Sequence, residues 1–181
     1  EALEKIGLEP LELEARDGLA LINGSNVLTA LAAITLYDAK KWMKLHDVAA
    51  AMTLEALMAN MKPYDKRIHE LRGFSGSQII ANNLNILTEE SEILFSGGKK
   101  VQDAYSMRST PQVAGTLRDS INYAVSQVEI ELNGVGDNPI FLTEEKDVLT
   151  GANFQGSPIA LPMEMIGTGL SMVAVLSERR M

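Results

Sequence analysis

Within seven residues, Gln102-Asp103-Ala104-Tyr105-Ser106-Met107-Arg108, the chain gathers an amide, a carboxylate, a phenol, a hydroxyl and a guanidinium. A guanidinium fork suits a carboxylate ligand, and a phenol beside it suits management of a proton. The same residue types also admit a plainer reading, with Arg108 paired to a neighbouring acid and Tyr105 a buried phenol whose hydroxyl is satisfied. Upstream, Asn23-Gly24-Ser25 puts a polar turn just ahead of a long apolar segment, where a helix cap is a sufficient reason for Asn23. Downstream lie two glycine-rich loops, Gly136-Asp137-Asn138-Pro139-Ile140-Phe141 and Gly151-Ala152-Asn153-Phe154-Gln155-Gly156-Ser157-Pro158. In them Asp137 and Asn138 are assigned to turn structure, and Phe154 alone reads as a core aromatic.

Other chemistries are poorly supplied. There is no cysteine, which excludes disulfides and thiolate metal sites and fits a reducing cytoplasm. His46 and His69 are 23 residues apart without ligand spacing, so no metal is expected and both read as structural or surface residues. Gly97-Gly98-Lys99-Lys100 lacks the spacing and hydroxyl of a P-loop and reads as a turn. Glu89, Glu90 and Glu92 read as a solvated face. A net charge of -8 argues against nucleic acid and anionic membrane surfaces as partners. Gly18 to Tyr37 is uncharged over a length that could cross a bilayer. Its internal Asn23-Gly24-Ser25-Asn26 makes it instead a loop entering a buried helix. No signal-peptide pattern opens the chain.

The elements that must position these groups are mainly helical. Asn26 to Met61 is rich in Ala, Leu and Met and free of Gly and Pro, predicting one long helix, with Lys40, Lys41, Lys44 and Asp47 marking a wetter or kinked middle. A second helix is predicted from Ser75 or Ser77 to about Glu92 with a serine cap. A third runs from near Pro111 until Gly134, Gly136 and Pro139 end it. Gly134 to Ser157 predicts a structured loop or short hairpin, and a last helix runs from about Leu161 to Arg180. No repeat or linker divides the chain, so residues 1–181 read as a single helical core of long antiparallel helices with glycine-rich connecting loops. Trp42 and the nine methionines are read as core or subunit contact.

Taken in order, the Asn23-Gly24-Ser25 turn, the Gln102 to Arg108 segment and the two glycine-rich loops resemble the histidine, phenylalanine and tyrosine ammonia-lyase and aminomutase superfamily. The resemblance runs from about Gly18 to Arg180 and takes in Lys62-Pro63-Tyr64-Asp65 and His69-Glu70-Leu71-Arg72. It implies part of a central helical bundle in a homotetramer whose active sites draw on more than one subunit. It also implies a methylidene-imidazolone electrophile, made autocatalytically from an Ala-Ser-Gly that this sequence does not contain. That tripeptide, the mobile tyrosine lid and the residues that select the substrate side chain are expected upstream. The chain then reads as a central fragment, inactive alone, of a cytoplasmic enzyme that eliminates ammonia from a histidine or aromatic amino acid to give an α,β-unsaturated acid.

By the same resemblance, Asn23 hydrogen-bonds the electrophile or substrate, and Arg108 clamps the substrate carboxylate. Tyr105 assists formation of the electrophile or the proton movements. Gln102 positions substrate, and Phe154 packs beside the reacting centre with Asn153 or Gln155 nearby. Two departures bear on substrate: Gln155 stands where histidine-specific members often carry His, favouring an aromatic acid or an unusual member, and Ser109-Thr110 differs from commoner versions. Two rival readings are an aminomutase of the same superfamily and a non-enzymatic helical assembly module.

Overall fold

The computed structural model describes every residue from Glu1 to Met181, and the chain divides into two compact units. The smaller comprises Glu1–Val27 and Val135–Gln155, the larger Leu28–Gly134 and Gly156–Met181.

In the smaller unit a 3-10 turn, Glu4–Ile6, precedes helix α1, Asp17–Ile22. Asn23 is the C-terminal cap of α1, its N–H donating to the Leu19 carbonyl at 2.8 Å. The expected cap of the following helix therefore closes the preceding one. Gly24 follows at φ +123°, a conformation that only glycine adopts without strain. The glycine-rich stretch forms the short hairpin that the sequence predicts: β1, Ile140–Leu142, and β2, Asp147–Leu149, pair antiparallel with Ile140 opposite Leu149.

The larger unit holds almost all of α2, Asn26–Ala56, with α3, Lys66–Arg72, α4, Ser75–Leu87, α5, Glu92–Phe95, α6, Tyr105–Arg108, α7, Thr110–Asn133, and α8, Ser157–Glu178. The mainly α expectation holds, and the boundaries differ for identifiable reasons. Helix α2 stops five residues before Met61. Met58 turns left-handed at φ 51°, its N–H reaches the Glu55 carbonyl and the Ala59 N–H reaches the Leu54 carbonyl. That is a Schellman termination built without glycine, so composition does not reveal it. The middle of α2 is unbroken: the lysines face solvent while Asp47 is buried.

Helix α4 ends at Leu87 rather than Glu92, and Thr88 turns its hydroxyl onto the Leu84 carbonyl at 2.8 Å. Ser91 then caps the separate α5 by accepting from the Leu94 N–H, and Glu89, Glu90 and Glu92 lie in solvent as expected. Phe74 occupies the N-cap of α4, so the predicted serine cap is absent. The anion comes from α7: Asp119 Oδ1 accepts from Gly76 N at 2.7 Å and Ser75 Oγ at 2.9 Å, a negative charge at a helix N-terminus. Helix α8 starts at Ser157, four residues early, with Pro158 in its first turn and Pro162 buried inside it. Its buried stripe, Ile159, Pro162, Ile166, Gly169, Val173 and Leu176, repeats at three- and four-residue steps.

Core side chains come from α2, α4, α7 and α8, among them Leu36, Met43, Leu54, Ile80, Leu84, Leu117, Ile121 and Ile166. The stretch Asp17–Ala56 and helix α8 are each long and apolar enough to cross a bilayer by length and composition. Both also carry core stripes, and Lys40, Lys41, Lys44 and Asp47 charge the second half of α2.

Helices α4 and α7 cross at two glycines. A methyl on Gly115 would lie 2.7 Å from the Gly76 carbonyl carbon and from Ser77 Cα, inside any real contact distance. Backbone cannot swing aside as a side chain can. Gly115→Ala is therefore expected to destabilise by about 1–3 kcal/mol through overpacking, against at most about 1 kcal/mol of gained helix propensity. At Gly167 in α8 nothing lies within 4 Å of an added methyl, so the same change there is expected to stabilise by about 0.5–1 kcal/mol. Urea midpoints of opposite sign for the two variants are the expected result, and a shared sign would contradict the close crossing.

Candidate active site

The Gln102 to Arg108 segment lies in the larger unit, where its polar groups take distinct tasks. Asp103 is structural: its carboxylate accepts the Asn60 N–H at 2.5 Å, while Asn60 Nδ2 donates to the carbonyls of Lys100 at 2.9 Å and Val101 at 3.2 Å. The approach to the site is thus fastened to the turn after α2. Lys99 helps, its ammonium donating to the Met58 and Ile93 carbonyls. The Gly97–Lys100 stretch is a tethered turn, as its sequence indicates.

Arg108, at the end of α6, forms no ion pair with any acid of the chain, which removes the plain reading of it as half of a local salt bridge. Its guanidinium lies 4.2 Å from the centre of the Tyr105 ring, a cation–π stack that fixes the plane of the fork. Tyr105 is 73 % exposed, so the buried-phenol reading also fails. Arg108 and Gln102 share the wall of a cavity of about 320 Å³ with Lys62, Pro63, Ile68, Val101 and Gln112. Two of these seven side chains are cationic, none is acidic, and two are amides. Arg108 Nε and Gln112 Oε1 are buried there without a hydrogen-bond partner. Burying a donor unsatisfied costs about 1–3 kcal/mol, a cost that a ligand oxygen meeting the guanidinium offsets. The arrangement suits an anion with planar oxygens, a carboxylate above all.

Tyr105 opens onto a different, largely apolar groove of about 520 Å³, lined also by Ser106, Val113, Met172, Val175 and Leu176. Tyr105 and Arg108 therefore touch each other while facing two adjoining spaces.

Asn23 and Phe154 belong to the smaller unit. Asn23 is exposed. Phe154 is 49 % exposed and sits in a turn closed by the Gln155 N–H on the Ala152 carbonyl at 3.0 Å, so it is not a core aromatic. Asn138 Oδ1 braces that loop by accepting from Gly151 N at 2.8 Å, and Asn153 Nδ2 donates to the Val135 carbonyl. Asp137 accepts its neighbour's N–H at Asn138 and pairs with Arg16, contacts that hold its carboxyl below the ordinary range. Arg16 also lies 5.1 Å above the Phe141 ring. Asp137 and Asn138 thus build the loop, as their turn chemistry predicts.

Sequence reasoning overlooked Lys62 and Gln112 as cavity residues. Gln112 carried a usable signal, since it follows Arg108 by four residues, the spacing that keeps side chains on one side of a helical stretch. His46 and His69 are both buried: His69 Nε2 meets the Pro63 carbonyl at 2.9 Å and His46 Nδ1 lies 3.2 Å from Asp47.

Comparison with known proteins identifies the family. The family model for aromatic amino acid lyase matches residues 1–181. The histidine ammonia-lyase of Clostridium tetani is 45% identical over 182 residues, covering 100% of this chain and 35% of its own length. The crystal structure of histidine ammonia-lyase from Trypanosoma cruzi superposes with a TM-score of 0.84 at 37% identity, over 99% of this chain and 33% of that one. The tyrosine aminomutase from Streptomyces globisporus does so with a TM-score of 0.85 at 32% identity, over 99% and 38%. The chain spans about a third of the length of the curated relatives it matches. A family model matched from the first residue to the last, over a helical framework shared with solved members, means that the chain belongs to the aromatic amino acid lyase family.

Proposed function

We propose that the chain is the central segment of an ammonia-lyase subunit and supplies the carboxylate-binding half of its active site. In this reading the complete enzyme is a cytoplasmic homotetramer that eliminates ammonia from histidine or an aromatic amino acid. The observation that carries it is the cavity where the Arg108 Nε donor is buried without a partner, on a wall with two cations and no acid. Arg108 takes the substrate carboxylate through its planar fork, Gln102 and Gln112 orient it through their amides, and the Tyr105 ring keeps the guanidinium in plane. Phe154 packs beside the reacting carbon.

The methylidene-imidazolone expected of the family has no Ala-Ser-Gly precursor in residues 1–181. The polar groups expected to face it fit a partner from outside the segment. Tyr105 and Asn23 are both exposed, and neither side chain is hydrogen-bonded within its own unit. When bound, the group supplies an electrophile that turns the amine into a better leaving group. Tyr105 offers a phenol to hold or move a proton there, and Asn23 offers an amide to hydrogen-bond the electrophile or the substrate.

The relatives' own names favour histidine, whereas Gln155 leans toward a different ring, so the test spans both. The full-length subunit is offered His, Phe and Tyr separately, with ammonia and the ultraviolet-absorbing unsaturated acid as readouts. Release of both from one of the three is expected, and none from residues 1–181 alone. Likeness to a tyrosine aminomutase supports a second reading, in which the amine returns to the neighbouring carbon. A β-amino acid accumulating in place of ammonia would replace the lyase with that reading. Silence of the full-length subunit with all three substrates would remove both.

A further inference from the structure

The Met107 carbonyl, just before Arg108, is denied the regular donor of a continuing helix. In a continuing helix the Met107 carbonyl would accept from residue 111, but that residue is Pro111, which has no N–H. Two side chains from distant parts of the larger unit take over. The Tyr64 hydroxyl donates to the Met107 carbonyl at 2.6 Å. The Arg180 Nε donates to the Ser106 carbonyl at 2.7 Å, and its Nη2 reaches Thr110 Oγ1 at 2.7 Å. Thr110, itself fully buried, donates its hydroxyl to the Met107 carbonyl in a hydrogen bond of 2.5 Å.

The brace is itself fixed. Tyr64 is fully buried, and its carbonyl accepts from Asn85 Nδ2 at 2.7 Å. Burial pushes its phenol up to about 12, so it stays a donor at any neutral pH. Arg180 loses hydration to burial, which lowers its basicity from the ordinary value, yet it stays cationic at any working pH. The four-residue helix α6 has too few bonds of its own to hold a side chain steady.

We infer that Tyr64 and Arg180 are positioning residues for Arg108: by gripping the Ser106 and Met107 carbonyls they set where the guanidinium meets the substrate carboxylate. This rests on the carboxylate-binding role proposed above. Neither residue lines the Arg108 cavity. A displacement of about 1 Å at such a clamp is enough to lower binding sharply.

The test measures binding to the full-length subunit by calorimetry, with trans-cinnamate and its imidazole counterpart as carboxylates and the matching carboxamides as controls. Wild type is expected to prefer the acids over the amides. Tyr64→Phe, which deletes one donor and keeps the ring, is expected to weaken the acids about tenfold and the amides less than about twofold. Arg180→Lys keeps the charge but loses the two-point grip, and the same selective loss is expected. In an Arg108→Gln background, Tyr64→Phe is expected to change nothing further. If wild type shows no preference for the acids, the carboxylate role of Arg108 fails and this inference with it. If the preference is present but each brace variant weakens acids and amides alike, or neither, the brace is merely structural and the inference is overturned. Should Tyr64→Phe fail to fold, Arg180→Lys and Thr110→Val decide by the same ratio.

Discussion

Replacing Arg108 with Met in the full-length subunit is expected to lower kcat/KM for the amino acid by roughly 30-fold to 3,000-fold, the equivalent of about 2–5 kcal/mol for removing one side of a desolvated charge pair. The loss is expected mainly in KM, because the carboxylate is bound in the ground state and the transition state alike. Magnitude decides between the roles open to Arg108. Its stack on Tyr105 alone is worth about 0.5–2 kcal/mol, and an exposed ion pair even less. Arg108→Lys is expected to recover only part of the loss, since an ammonium restores the charge without the fork. A Michaelis constant within about twofold of wild type for Arg108→Met would exclude a carboxylate clamp and leave the cavity without its main ligand group.

The helices were legible wherever their ends are written in side-chain type. Helix α7 begins at Thr110 beside Pro111 and stops at Asn133 before Gly134, within a residue of expectation. Where the backbone itself makes the end, sequence was mute. Met58 terminates α2 in a conformation usually given to glycine, and Asp119 caps α4 from a helix more than forty residues on. Helix α8 starts at Ser157 rather than about Leu161, with Pro162 accommodated inside it on the buried stripe. The site divides likewise. Gln102, Tyr105 and Arg108 are concentrated in seven residues, so their types announce them. Lys62, Tyr64 and Arg180 belong to the same neighbourhood only through folding, each separated from Arg108 by more than forty residues.

Asp47 is the instructive misreading and the ground of the second large expected effect. Charge in the middle of α2 predicts a wetter or kinked segment, but Asp47 shares a stripe with Leu36, Met43, Ala50 and Leu54, and its side chain is only 4% exposed. A carboxylate so buried must be compensated, and three groups converge on it. Arg118 Nη2 of α7 donates at 2.9 Å, Asn83 Nδ2 of α4 at 2.7 Å, and His46 Nδ1 lies at 3.2 Å. Three helices thereby meet at one charge. Arg118→Met keeps most of the side-chain volume and leaves Asp47 without its cation, which is expected to cost about 3–5 kcal/mol of stability, read as a lowered urea midpoint. The double variant Asp47→Leu with Arg118→Met removes both charges, and is expected to lose less than the single change despite altering more atoms. That inversion distinguishes a stranded charge from lost packing, for which the double variant must be at least as damaging. The Nε of Arg118 already lacks a partner, so the single Nη2 bond and the field of the guanidinium make up the interaction being removed. A single-variant cost under about 1 kcal/mol would mean that Asn83 and His46 suffice to hold the carboxylate, and that Arg118 contributes no more than a surface ion pair does.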